Sequence, residues 1–484
     1  MTAVTRALSE FVSSLAVAGD QQPAQPVTLI PDEVLERAAV LVADTVGIGI
    51  RARHDTDSTA SVMQSMRDLG MAQGSGVATT VFGDSQTWTP VAAALINGTL
   101  AHSLDFDDTH AEGSIHASAP ILPAALAAAE IQGASGADFL AGIIAGYEVQ
   151  LRLSLALVPR LHYERGFHPT ATCGVFGAAA AAARIFGLDA NQIENAFGAC
   201  GSQASGSMQF LANGSWNKRF HVGHAAASGL TSAMLARNGY LGSSEAIEGK
   251  AGFLNAYSPE PDVARAAEGL GDIWQTMNLA VKPYPSCRYS HAALDALIDL
   301  RNANDIKAAE VTSVEVGVSR TGYRIIGEPE AEKRAPANVV DGQFSMPFCA
   351  AVVLREGAMV WDDYQQHLND AETLSLCRRI STVVHERAEA EFPVNMSGIV
   401  RVKTTKGEFE SFVAVPKGEP ANFVSAQEVK AKFVGLVEPY LGVDQCENLL
   451  SSLLSVRTAA SLDAITGLMR SANVETEAAR SLSA

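Results

Sequence analysis

From Pro31 to about Leu270 the apolar positions recur at helical spacing with almost no strand-like alternation, and alanine supplies many of them. Pro31-Asp32-Glu33 predicts a helix start, because proline suits a first turn and the two acids face the positive end of the helix dipole. Val34, Leu35, Ala38, Leu41 and Val42 form the buried stripe behind it. Residues 123–132, 172–186 and 225–237 are further predicted helices with small side chains on most faces. That pattern belongs inside a bundle, where backbones approach closely. At the N-terminus Val4, Leu8, Phe11 and Leu15, interrupted by Glu10, predict a surface helix rather than the unbroken apolar run of a signal peptide.

Near residue 275 the texture changes. Val314, Val316 and Val318 alternate with Glu315 and Gly317, which predicts a half-buried strand. Residues 399–403 and 408–415 flank Thr405-Lys406-Gly407, which predicts a hairpin with glycine in the turn. After Pro416 the helical period returns, with Ser425-Ala426-Gln427-Glu428 as a capping box and Val429, Phe433, Val437 and residues 449–454 continuing it. The predicted fold is mainly α with α+β. A large all-helical domain is formed by both chain ends (1–274 and 416–484), and a smaller α+β lid domain is inserted at 275–415.

Composition narrows the partners. Hydrophobic residues at 47% against charged residues at 18% leave room for a large core and exclude global disorder. The net charge of −18 argues against nucleic acid or an anionic membrane as partner, since both are bound by basic surface. The six cysteines are dispersed with no CxxC pair, which counts against a zinc ribbon, an iron–sulfur cluster and a disulfide framework, and suits a reducing cytoplasm. Long uncharged stretches such as 86–104 are punctuated by polar residues, so no membrane span is expected.

Four segments concentrate ionisable groups within apolar sequence. The first runs from Ser103 through Asp105, Asp107, Asp108, Thr109 and His110 to His116. On a helix Asp105 and Thr109 would share a face, and Asp107 or Asp108 would cap a helix. No ExxH or HxxxH spacing supports a metal site, and none is expected. The second is Gly166-Phe167-His168-Pro169-Thr170-Ala171-Thr172, where proline biases His168 out of the following helix and Thr170 or Thr172 can cap it. Alone, His168 also reads as an ordinary turn histidine. The third, Trp216 to His224 with Lys218, Arg219 and His221, and the fourth, Lys282 to His291, are basic islands in an acidic protein. A surface charge run is their ordinary reading, while converging Lys218, Arg219, His221 and Lys282 would suit a substrate with several carboxylates. Cys173 has no clear base in its local sequence and reads as a small core residue.

In the order of these segments, from Ile30-Pro31-Asp32-Glu33 through Leu104-Asp105-Phe106-Asp107-Asp108-Thr109 to Lys282-Pro283-Tyr284-Pro285, the sequence resembles the MmgE/PrpD family. That family includes 2-methylcitrate dehydratases, cis-aconitate decarboxylases and iminodisuccinate epimerases. The resemblance implies a helical domain with a smaller lid domain, usually a homodimer, and catalysis without metal or organic cofactor. It places the pocket on Asp105, Thr109, His116, His168, Lys218 and Lys282, with Tyr323 a looser match. The family's reactions share one demand, the handling of a proton or electron pair at a carbon alpha to a carboxylate. Lys218 and Lys282 are the residue type that meets developing enolate charge, and His116 or His168 the type that moves the proton. Asp105 would orient a neighbour, and Thr109, Arg219, His221 and Tyr323 would bind substrate. The implied activity is a cofactor-independent lyase acting on a small di- or tricarboxylate, by dehydration or decarboxylation, with epimerisation of an imino dicarboxylate as the alternative.

Overall fold

The computed structural model describes residues 3–18, 27–72, 76–212 and 215–470. The chain divides into two compact units, Met1–Leu279 with Val429–Ala484, and Ala280–Glu428. The fold is mainly α with a small α+β portion, and the sheet lies in the second unit.

In the first unit α1 (Val4–Ser14) buries Val4, Leu8, Phe11 and Val12, so the amphipathic stripe is a docking face. Leu15 falls outside the helix and pairs with Thr28 in a short parallel strand pair. Helix α2 (Asp32–Asp55) starts where the proline and acids predict it, with Pro31 as its extended N-cap residue. Then come α3 (Pro90–Ala101), α4 (Ser118–Gln132), α5 (Gly136–Ala156), α6 (Pro169–Ile185), α7 (Ala190–Cys200) and α8 (Asn217–Arg237). Helix α4 begins before residue 123, with Pro123 inside it, and α8 begins before residue 225.

Small residues set the spacing of this bundle. A Cβ on Gly98 of α3 would lie 2.7 Å from the Gly223 Cα of α8, and one on Gly146 of α5 would lie 2.8 Å from the Gly177 carbonyl oxygen of α6. No larger side chain fits at either crossing without moving backbone. Helix α5 is long and apolar enough to cross a membrane, yet it is buried throughout as the central core helix. Inside it Glu148 pairs with Arg152 at 3.1 Å, and both are tied to other groups: Glu148 accepts from the Thr276 N–H and hydroxyl. A buried ion pair at such a position is tolerated because its remaining hydrogen bonds are satisfied. All six cysteines are free and buried, Cys173 among them with its thiol pushed up by burial.

The second unit packs α9 (His291–Asn304) and α10 (Met346–Glu356) with a four-stranded sheet of β1 (Val311–Val318), β2 (Ile380–Val384), β3 (Gly398–Thr404) and β4 (Gly407–Val413), ordered β4-β3-β1-β2. Val314, Val316 and Val318 are buried as the alternation predicts. Strand β1 pairs parallel with β2, Val316 opposite Thr382, and antiparallel with β3, Val316 opposite Val400. The hairpin turn is Thr405-Lys406. Gly407 is not in the turn but opens β4 opposite Thr404, with φ 154°. This unit runs on past residue 415 to Glu428, in the first turn of α11 (Ala426–Leu441). The Ser425–Glu428 capping box forms: each residue's side chain accepts the other's backbone N–H, at 3.3 and 2.7 Å. Helix α12 (Val443–Leu454) follows in the first unit and buries Leu449, Leu450 and Leu453.

Candidate functional site

Between α3 and α4 the chain reverses instead of continuing as a helix. Asp105 has φ 51°, the left-handed region that an aspartate tolerates better than most residues. Asp105 and Thr109 therefore share no helical face, and Thr109 lies half-buried in the short strand Thr109–His110. The reversal returns Asp107 towards the end of α3. There its carboxylate oxygen Oδ2 stands 2.6 Å from His102 Nδ1 and 3.3 Å from His116 Nδ1. His102 and Asp107 have fully buried side chains, while His116 keeps 15% exposure.

Asp108 takes the capping role at the start of α4, its two oxygens accepting the Ser118 N–H at 3.1 and 3.3 Å. The Ser118 hydroxyl in turn meets the Tyr147 hydroxyl at 2.6 Å. Burial, with the charge of Asp107 beside it, pushes the Asp108 carboxyl up to about 7. For Asp107 burial also pushes upward, but the His102 and His116 rings outweigh it and hold the carboxylate ionised well below its usual range.

His168 is the N-cap residue of α6, extended at φ −94° and ψ 103°, with Pro169 in the first turn. Its backbone N–H donates to the Gly206 carbonyl at 2.9 Å. Neither threonine caps this helix: Thr170 accepts the His116 N–H at 3.3 Å, and Thr172 meets His162 Nε2 at 2.9 Å. The imidazole rings form a chain, His116 to His102 at 4.7 Å, His102 to His168 at 6.0 Å and His168 to His221 at 5.8 Å between centroids. Burial pushes His102 down to about 4, with Asp107 pulling the other way, and pushes His168 well below the usual histidine range. His102 and His168 are therefore neutral at physiological pH. The ring nitrogens His102 Nε2, His168 Nδ1 and His221 Nδ1 are buried without a hydrogen-bond partner among the described residues.

The third segment is the first turn of α8, where a cation opposes the helix dipole. Lys218 is held there by Asp105, Nζ to Oδ1 2.8 Å. Burial lowers the ammonium's pKa, but the Asp105 charge and hydrogen bond outweigh it, and the net shift is upward. Arg219 points elsewhere, donating to the Ser58 hydroxyl at 2.9 Å. From α11 Lys432 pairs with Asp44 at 2.6 Å, donates to the Phe106 carbonyl at 3.1 Å and lies 3.7 Å from the centre of the Phe106 ring, pinning the reversal from outside.

Asp105, His116, His168, Lys218 and His221 are thus brought together with two residues that the sequence reading did not select, His102 and Asp107. The signal for His102 was weak, a histidine closing an uncharged apolar stretch. Lys282 and Tyr323 belong to the second unit, where Lys282 is buried and Tyr323 lies half-buried against that unit's core. His110 ends the short strand, and its Nδ1 accepts the Gly113 N–H at 2.8 Å.

Among the described residues the His102–Asp107–His116 group is where three side chains able to ligate a metal converge, their donor atoms within 4.8 Å of one another. The spacing suits hydrogen bonding better. Two donors about 2.1 Å from a tetrahedral ion stand roughly 3.4 Å apart, whereas His102 and Asp107 approach to 2.6 Å.

A helical unit built from both chain ends, an inserted α+β unit and a buried imidazole–carboxylate–ammonium group define the class. The MmgE/PrpD N-terminal domain matches residues 24–266 and the MmgE/PrpD C-terminal domain residues 284–455. The chain belongs to the MmgE/PrpD family. It is 29% identical to the cis-aconitate decarboxylase-like protein oryM of Aspergillus oryzae over 91% of this chain and 94% of that one. It is 28% identical to a cis-aconitate decarboxylase of Aspergillus terreus over 78% and 80% of the two chains, and 26% identical to the human cis-aconitate decarboxylase over 70% and 69%.

Proposed function

We propose that this protein is a cofactor-independent lyase that decarboxylates a small tricarboxylate of the cis-aconitate type. The observation that carries the reading is the Lys218–Asp105 pair at 2.8 Å in a group that also holds His102, His116 and His168. The relatives named cis-aconitate decarboxylase favour loss of CO₂ over loss of water.

In this reading the electron pair of the breaking C–CO₂ bond forms a new C=C bond. The original double bond shifts its electrons to the carbon alpha to a remaining carboxylate. Lys218, a preorganised ammonium in a partly desolvated setting, stabilises that enolate charge, and the substrate carboxylates compete with Asp105 for it. His116, the imidazole of the group that reaches solvent, or His168 delivers the proton to carbon. Thr109, Arg219, His221, Lys282 and Tyr323 remain substrate-binding or charge-stabilising candidates on the family resemblance. The six buried free thiols fit a reducing compartment, and a homodimer is the expected assembly.

Proton NMR of the purified protein in D₂O tests this, with cis-aconitate, 2-methylcitrate and iminodisuccinate offered separately, with and without EDTA. The expected result is itaconate carrying one deuterium, at a rate that EDTA leaves unchanged. Olefin from 2-methylcitrate would replace the decarboxylase by a dehydratase, and deuterium wash-in without elimination would replace the lyase by an epimerase.

A further inference from the structure

Asp107 is the group at this site whose surroundings the proposed reaction leaves unexplained. A fully buried carboxylate needs partners, and this one directs a single oxygen at the Nδ1 atoms of two different imidazoles. The bond to His102 at 2.6 Å is made. The approach of His116 at 3.3 Å leaves its Nδ1 without a hydrogen bond in this conformation, yet within reach of one. The rings meet edge to face, 71° between planes, so each presents the same nitrogen to the carboxylate.

We propose that Asp107 is a positioning residue that holds His102 and His116 in the same tautomer, Nδ1 protonated towards the carboxylate and Nε2 left as an acceptor. Each Nε2 must then take up a proton, which His116 draws from solvent, before one is delivered to carbon, and His102 is a second imidazole able to hold it. An ionised carboxylate only accepts, so the nitrogen facing it must carry the hydrogen. His102 is neutral because burial outweighs Asp107's pull, so its second nitrogen holds a lone pair. That nitrogen, Nε2, is buried without a hydrogen-bond partner among the described residues. The other charged and titratable groups acting on this trio are Lys218, Asp44, Asp108 and His168. Of these Lys218 is a cation and opposes a positive charge on His102, which favours a neutral ring as well.

The consequence for turnover rests on the decarboxylase reading; the tautomer does not. Two-bond ¹H–¹⁵N correlation spectra of the full chain labelled with ¹⁵N-histidine read the tautomer in the absence of substrate. The rings are assigned by the signals lost in His102→Gln and His116→Gln. The expected spectrum of the unaltered protein at neutral pH shows the His102 ring as Nδ1–H. In Asp107→Asn the pattern becomes a mixture of tautomers, and kcat on cis-aconitate falls roughly 10–10²-fold with KM little changed. Asp107→Glu restores part of the rate. An Nε2–H ring at His102 in the unaltered protein overturns the proposal without any variant having to fold, and so does a soluble Asp107→Asn variant with full kcat. A protein that turns over no cis-aconitate but shows Nδ1–H at His102 removes the proposed reaction and leaves this assignment standing.

Discussion

Two basic segments of similar composition, Lys218–His221 and Lys282–His291, sit in opposite surroundings. In the second unit the polar groups close on one another. Arg288 pairs with Glu419 through Nε at 2.9 Å, the Tyr284 hydroxyl donates to Asp295 at 2.6 Å, and His291 Nε2 meets the Ser286 carbonyl at 3.1 Å. In the first unit Lys218 finds Asp105, but the imidazoles beside it keep buried nitrogens without a hydrogen-bond partner among the described residues. Charge composition alone does not separate the two segments; what differs is that buried ring nitrogens near Lys218 have no partner among the described residues.

The largest expected effect falls on the open side of that comparison. His168→Gln removes a neutral imidazole that the N-cap position and the Gly206 hydrogen bond hold in place through the backbone, so the fold should survive. Turnover on cis-aconitate should drop about 10²–10⁴-fold if this ring moves the proton. Burial holds the His168 ring below the ordinary histidine range, so an ionisation limb in that range is not expected from it. A soluble variant with full activity removes His168 from the chemistry.

Next comes a direct contrast. Lys218→Ala should cost about 10²–10³ in kcat/KM, the usual loss of one preorganised donor. Arg288→Ala should leave kcat/KM near normal and lower the melting temperature, because it strands the partly buried Glu419. Kinetics and melting curves on both variants check the pair. Equal kinetic losses would erase the distinction between the two segments.

What the sequence disclosed divides along physical lines. Helices with a complete apolar period, such as α2 and α6, were legible because burial and period are one property. The start of α8 was hidden, since Asn217, Lys218, Arg219 and His221 are polar and look like a loop when Asp105 is out of view. At the candidate site the family motifs marked a stretch of chain, but spacing could not say which of three aspartates pairs with which group. Asp105's left-handed backbone reverses the chain, and beyond such a turn sequence separation no longer reports proximity. His102 escaped for the same reason: its partner lies across that reversal.

The smallest expected effect concerns stability and the neighbouring carboxyls. Asp108 has its folded-state pKa raised to about 7 by burial and by Asp107, so between the usual carboxylate range and 7 the native state keeps a proton that the unfolded chain has lost. Its contribution is therefore favourable in acid and is lost as pH rises through 7. His102 works in the opposite sense. With a folded pKa of about 4 it adds stability above the ordinary histidine value of 6.5, and that stability is lost as pH falls towards 4. Asp108→Asn keeps an oxygen to accept the Ser118 N–H and removes only the titration. The variant should melt a few degrees higher than the wild type at pH 8, and the gap should narrow at pH 5 and close only as pH falls into the usual carboxylate range, where the unfolded chain is protonated as well. A gap of the same size at both pH values would mean that Asp108 is ionised throughout and that Ser118 and Tyr147, rather than Asp107, set its charge.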